Sequence, residues 1–212
     1  MDKIAIFGAG GFGREVASLI KRINKICHKW DFIGFFDDSN TAKDNEYGEI
    51  LGNINSLNKT DFPLSVAIAV GNPKSLRSIK ERIINPLISF PNIIAPEAHI
   101  LDPENFQIGE GNIVCSFSSL SCNVSLGNFN IINNRVSFGH DAKIGNFNVF
   151  MTACRVSGST KINEENLFGV GSIILPGIRI GKHTTISPGS VIMRNTKDDS
   201  LYIGNPAKLM KF

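Results

Sequence analysis

The sequence predicts two folded parts in series: a small Rossmann-like βαβ unit over residues 1–95, then a parallel β-helix over 96–212. Three observations predict this. A short, mostly apolar run at the N-terminus (KIAIF) leads directly into a Gly-x-Gly-x-x-Gly turn. From Ile108 to Ile192 a large apolar residue returns at every sixth position. Through the same region glycine and asparagine return at every eighteenth.

The N-terminal part is read from strand and turn signals. Residues 3–7 (KIAIF) form a short buried strand. Gly8-Ala9-Gly10-Gly11-Phe12-Gly13 opens into a helical run through about Ile23, the strand–turn–helix context in which such glycines approach a phosphate. The backbone can come close to an anion there, and a helix N-terminus favours negative charge. A second strand, Phe32 to Phe36, ends in Asp37-Asp38. A third, Ser65 to Val70, ends in Gly71-Asn72-Pro73. A helix is expected from about Ser75 to Ile84 and a fourth strand near Ile88 to Ile94. An acidic residue after the second strand suits a ribose hydroxyl, so an NAD-dependent oxidoreductase is one reading. The unit is half of a full dinucleotide fold and no second half follows, which favours a mononucleotide-sized ligand such as a nucleotide-linked sugar. The glycines can equally serve only to pack helix on strand.

The repeat is read next, because a period misread changes the whole fold. Ile108, Val114, Leu120, Leu126, Ile132, Phe138, Ile144 and Phe150 begin a series that continues without a polar exception to Ile192. A period of six is neither helical nor a plain alternation. It denotes a short strand and a corner, and three such units close a triangular coil of 18 residues. The hexads predict five coils, a prism about 24 Å long at roughly 4.8 Å per rung. Gly109, Gly127, Gly145 and Gly181 are 18 apart, with Asn163 in the gap, and are expected to be the left-handed corner residues. Asn112, Asn130, Asn148 and Asn166 share the same spacing, followed by Thr184, and are expected to stack as a structural amide ladder. The tail from Lys197 leaves the pattern and caps the last coil.

Composition narrows the partners. With 42% hydrophobic and 19% charged residues, a net charge of +3 and no Lys/Arg block, nothing points to nucleic acid. Cys27, Cys115, Cys122 and Cys154 form no Cys-x-x-Cys pair and no metal spacing, so free thiols in a reducing compartment and no metal are expected. No signal peptide is legible and no stretch of about 18 apolar residues exists, so a cytoplasmic location without membrane contact is expected.

The unbroken hexads with glycines at corners resemble the left-handed β-helix acyltransferases. The left hand is implied by that resemblance alone, since the general crossover rule gives the opposite one. GAGGFGREV, GFFDD, AVGNP, a prism holding GHDAKIG and a final GNPAK follow one another in the order of one family across nearly the whole chain. It is the sugar O- and N-acyltransferases typified by sialic acid O-acetyltransferase and the N-acetyltransferases of nucleotide-linked 4-amino-sugars. The resemblance implies a homotrimer with acetyl-CoA in the groove between adjacent prisms, acting in surface polysaccharide or glycan biosynthesis.

Direct acetyl transfer needs a base for the acceptor, stabilisation of the oxyanion and alignment of the two substrates. Histidine suits the base. His28 lies in a polar connection, His99 precedes the regular repeat, and His183 follows Gly181-Lys182 at a corner. His140 lies at a corner with Asp141 directly after it; the pair reads either as a base with its carboxylate or as two exposed corner residues. The resemblance assigns His140 as general base and Asp141 as its partner. It carries cofactor contacts to Gly158, Val170, Pro188, Pro206 and Lys208, and sugar-nucleotide contacts to Gly10, Gly11, Gly13, Asp37, Asp38 and Gly71. Two positions depart from the family: Phe12 and Val149 stand where it has histidines. They keep open a second class of function, a trimeric binding or scaffold relative that has lost activity.

Overall fold

The structure is a computed structural model that describes residues 1–39 and 42–210. The chain divides into two compact units, Met1–Pro96 and Glu97–Phe212. Among the described residues no helix is long and apolar enough to cross a membrane.

The first unit runs β1 (Asp2–Phe7), α1 (Gly11–Cys27), β2 (Trp30–Phe36), β3 (Ile50–Gly52), α2 (Ile54–Asn58), β4 (Leu64–Ile68), α3 (Pro73–Arg82) and β5 (Ile88–Ser89). Its five strands are parallel, in the order β3-β2-β1-β4-β5. Ile4, Ala5, Ile6 and Phe7 of β1 are all buried, which is why this strand reads as an unbroken apolar run rather than an alternation. Helix α1 buries Gly13, Val16, Ala17, Leu19 and Ile20, one stripe at helical spacing. It ends where His28 turns left-handed (φ 44°) and its amide bonds to the Asn24 carbonyl. Asn72 accepts from the Ser75 amide and Pro73 occupies the first turn, so α3 starts two residues before the expected Ser75. The expected fourth strand is two separate pairs, Ile88–Ser89 and Ile93–Ile94. Strand β3 and helix α2 carry no legible sequence period because they are three and five residues long.

The second unit is a parallel β-helix. Each two-residue strand pairs with the one 18 residues on, as in Phe138 with Val156 and Ile144 with Ile162. Phe138, Phe150 and Phe168 fill the axis. Phe150 and Phe168 stack at 4.3 Å and Phe138 meets Phe150 edge-on at 5.0 Å. Each such buried ring contributes about 1.5–3 kcal/mol by leaving water. The stack exceeds the five coils that the hexads predict, because the faces hold six, five and eight strands. His99–Ile100 adds a rung below Ser119–Leu120. The tail does not only cap: Leu201–Gly204 continues the stack on Thr185–Ile186 before folding back as a hairpin with Ala207–Leu209.

The corners correct one expectation. The left-handed residues recur at every sixth position, from Gly111, Phe117 and Asn123 through Asp141 and Phe147 to His183 and Gly189. Gly109, Gly127, Gly145 and Gly181 are not among them. Their need is steric: a Cβ on Gly145 would stand 2.7 Å from the Asn163 carbonyl oxygen of the next coil, and one on Gly127 would stand 2.6 Å from that of Gly145. Most left-handed corners carry a non-glycine residue, held there by the pairing on both sides.

The asparagine ladder forms, and it is buried. Asn112, Asn130, Asn148 and Asn166 are fully inaccessible. Asn130 Nδ2 donates to Asn112 Oδ1 at 3.0 Å, Asn148 Nδ2 to Asn130 Oδ1 at 3.1 Å, and Asn166 Nδ2 to Asn148 Oδ1 at 2.9 Å. Each Oδ1 also accepts the backbone amide one coil up, and the Thr184 amide ends the series on Asn166. Every amide is thus satisfied from neighbouring coils, the condition under which buried polar groups are tolerated. Asn148→Ala strips partners from Asn166 and from the Asn163 carbonyl. It is expected to lower unfolding stability by about 3 kcal/mol, read as a fall in the midpoint of chemical denaturation.

Candidate functional site

Chemistry-bearing groups gather in both units. In the first unit they surround the strand ends where the sheet order reverses between β1 and β4, the usual place for a ligand in an open parallel sheet. Gly10 caps α1 without any side-chain hydrogen bond, and Gly10 and Gly11 are exposed, so the first amides of that helix are open to an anion. Gly13 differs: it is buried, and a Cβ there would overlap the Gly8 carbonyl. Asp37 Oδ2 accepts the Ala9 amide at 2.7 Å and Oδ1 accepts the Ser39 amide at 2.8 Å, so this carboxylate holds the glycine turn. Asp38 accepts the Ile54 amide at 3.0 Å and pairs with Arg82 at 2.8 Å. A cleft of about 410 Å³ touches Gly10, Arg14, Asp37 and Lys43, and another of about 480 Å³ touches Gly8, Asp37, Asp38, Lys74 and Arg82. Gly71 is exposed beside the second, next to Val70 of its lining. Phe12 is half-buried.

In the second unit His140 and Asp141 share one corner. Asp141 sits at the left-handed position, φ 58°, which aspartate tolerates better than most residues. His140 Nδ1 lies 2.7 Å from Asp141 Oδ2. A carboxylate only accepts, so Nδ1 carries the proton and Nε2 of the neutral ring is left as an acceptor. The ring is 66% exposed and lies over Gly158, one coil on: a Cβ at Gly158 would stand 2.6 Å from Nε2. From the preceding coil, Asn123 Nδ2 donates to Asp141 Oδ1 at 2.7 Å. The bond from His140, then that from Asn123, holds the Asp141 carboxyl below its ordinary value. The lowered value makes any contribution of this carboxylate to folding full above the unfolded-state value and lost as the pH falls through the folded one.

The remaining site residues expected from the sequence fall elsewhere on the prism. Val170 and Pro188 are exposed on a different edge, where the Gly189 amide bonds to the Val170 carbonyl. Pro206 and Lys208 are exposed in the terminal hairpin. One prism therefore brings together His140, Asp141 and Gly158, and not Val170, Pro188, Pro206 or Lys208. Val149 is fully buried in its rung between Ile131 and Leu167. His183 lies between Asp199, at 2.9 Å, and Glu165, at 3.6 Å. Asn123 was not singled out in the sequence. Its signal was present, since it precedes Asp141 by one coil length at the same corner.

Both units have likenesses among known proteins. Residues 3–83 match the family model of the PglD N-terminal domain. The acetyltransferase domain of PglB from Neisseria gonorrhoeae FA1090 is 26% identical with a TM-score of 0.88, over 99% of this chain and 100% of that one. The same domain in complex with acetyl coenzyme A aligns at a TM-score of 0.76 and 26% identity over 98% of each chain. PerB from Caulobacter crescentus, in complex with CoA and GDP-perosamine, shares the fold at a TM-score of 0.84 and 23% identity, over 100% of this chain and 98% of that one. Against curated proteins the sequence returns no significant match. The chain is thus similar along nearly its whole length to a bacterial acetyltransferase domain, and the family-model match lies within its first unit.

Two measurements check the corner geometry. Gly158→Ala is expected to push the imidazole off its seat while leaving the coil register intact, seen as displaced His140 ring resonances with an unchanged far-UV spectrum. An NMR titration is expected to find Asp141 ionising below the ordinary aspartate range, and moving up towards it in His140→Ala, since His140 is the larger cause.

Proposed function

We propose that this protein transfers an acetyl group from acetyl-CoA to an amino or hydroxyl group of a nucleotide-linked sugar, for surface polysaccharide or glycan biosynthesis, with His140 as general base. The observation that carries the reading is the His140–Asp141 bond, which leaves Nε2 as a free acceptor at an exposed corner, in a chain similar over 99% of its length to an acetyltransferase domain. The acceptor attacks the thioester carbonyl as Nε2 takes its proton. The Asp141 carboxylate stabilises the imidazolium so formed. The tetrahedral intermediate then collapses, the C–S bond breaks, and the proton passes from the imidazolium to the departing CoA thiolate. No covalent enzyme intermediate and no metal are needed, and none of the described His, Cys, Asp and Glu residues group as metal ligands.

For the acceptor, the open N-terminus of α1 suits a diphosphate, with Gly10, Gly11, Gly13, Asp37, Asp38 and Gly71 around the sugar nucleotide. Arg14 and Lys43 in one cleft and Lys74 in the other supply positive charge for such a ligand. PerB, a protein of this fold, binds CoA and GDP-perosamine, which supports an amino-sugar acceptor. For the donor we infer contacts at Gly158, Val170, Pro188, Pro206 and Lys208. His140 and Gly158 occupy a different edge from Val170 and Pro188, so a donor touching both sets lies between two copies of the chain. This supports a homotrimer with the site shared between adjacent prisms. The reading puts the protein in the cytoplasm, with the acetyl-CoA pool. An oxidoreductase is not favoured, because the parallel sheet has a single nucleotide half and the full-length likenesses are to acetyltransferases.

Acetyl-CoA consumption with a panel of nucleotide-linked amino-sugars tests the activity. His140→Ala is expected to lower kcat by about 10²–10⁴; wild-type turnover in that folded variant would remove His140 from the role. In a thermal-shift screen, CoA and a uridine or guanosine nucleotide are expected to raise Tm while NAD leaves it unchanged.

A further inference from the structure

We propose that Asn123 is a positioning residue for the reaction: its side-chain amide locks the Asp141 carboxylate in the orientation that presents His140 Nε2 to the acceptor. The inference rests on the reading of His140 as the base.

Three observations carry it. Asn123 and Asp141 occupy the same left-handed corner in successive coils, with φ 56° and 58°, one rung apart. Asn123 Nδ2 donates to Asp141 Oδ1 at 2.7 Å while His140 Nδ1 lies 2.7 Å from Oδ2. One oxygen of the carboxylate is thus committed to each neighbour. The Asp141 side chain is 49% exposed, so packing does not hold it. A carboxylate so exposed rotates unless a second bond restrains it, and each rotation carries the imidazole with it. The Asn123 amide supplies that restraint without adding a charge and without titrating, which a lysine in its place would not do. The end turned to Asp141 is the NH₂, which is a donor only. Outer-shell partners of this kind fix the tautomer and direction of a functional imidazole.

The test compares Asn123→Gly with the parent enzyme, because glycine keeps the left-handed corner unstrained and removes only the side chain. The expected result is a fall of about tenfold in kcat with KM for both substrates unchanged. In an Asp141→Ala background the same substitution is expected to cost nothing further, since there is no carboxylate left to orient. Asn123→Asp, which sets a carboxylate against Asp141, is expected to shift the acid limb of the kcat/KM profile upward by stabilising the imidazolium, a change that loss of corner stability alone does not produce. An equal loss of kcat in both backgrounds, or wild-type kcat in Asn123→Gly, overturns the proposal. His140→Ala is measured alongside: if it retains turnover, the reading of the base has failed, whereas a dead His140→Ala beside an unaffected Asn123→Gly defeats the positioning role alone.

Discussion

A coil of 18 residues returns the chain to the same place one rung higher, and nearly every feature of the second unit follows from that spacing. Parallel pairing across the coil requires strand, corner and strand to take up equal lengths of chain, so each corner must turn within a few residues. A left-handed residue at every sixth position does this. The conformation is costly for residues such as Phe117, Phe129, Phe147 and Glu165, by about 1–2 kcal/mol each. It persists because backbone hydrogen bonds to the coils above and below leave no alternative path.

The same spacing makes i and i+18 side chains neighbours, and their chemistry then depends on where they point. Inward, the Asn112–Asn166 column satisfies its own amides in a dry environment, where an unpaired group is expensive. Outward, Asn123, Asp141 and Ser159 line a wet edge, and a bond between two of them contributes little to stability. Its value lies in direction. The lowered pKa of Asp141 arises first from its hydrogen bonds with His140 and Asn123, with the charges of His140 and Lys143 adding to them, and against the effect of burial. Gly158 belongs to the same column as His140 and is a glycine because the ring lies where its Cβ would be.

In the first unit the acidic pair after β2 has structural duties. Asp37 holds the glycine turn and Asp38 joins the start of α2 to Arg82. Both line a cleft while doing so, so any ligand bound there would be coupled to the stability of the turn. An acidic residue after the second strand is therefore not by itself a mark of ribose binding. The uncapped start of α1 is the more telling feature, because its free amides have no partner within the helix geometry and attract an anion.

The sequence by itself determined the strand–turn–helix start of the first unit and, through the period, the parallel stacking of the second, its amide ladder and the corner that holds His140 beside Asp141. These were legible because an apolar residue every six positions, or an asparagine every eighteen, is a property of spacing alone. Only the tertiary structure decided which residues take the left-handed corner, since the glycines with an 18-residue period answer to the carbonyl of the next coil and not to φ. It alone showed that the tail adds a rung before it caps, that β3 and α2 complete the first unit, and that Val170 and Pro188 lie on another edge from His140. It also joined Asn123 to Asp141. The reason is the same in each case: these facts concern contact between coils or across a sheet, and contact depends on direction in space, which a one-dimensional period does not carry.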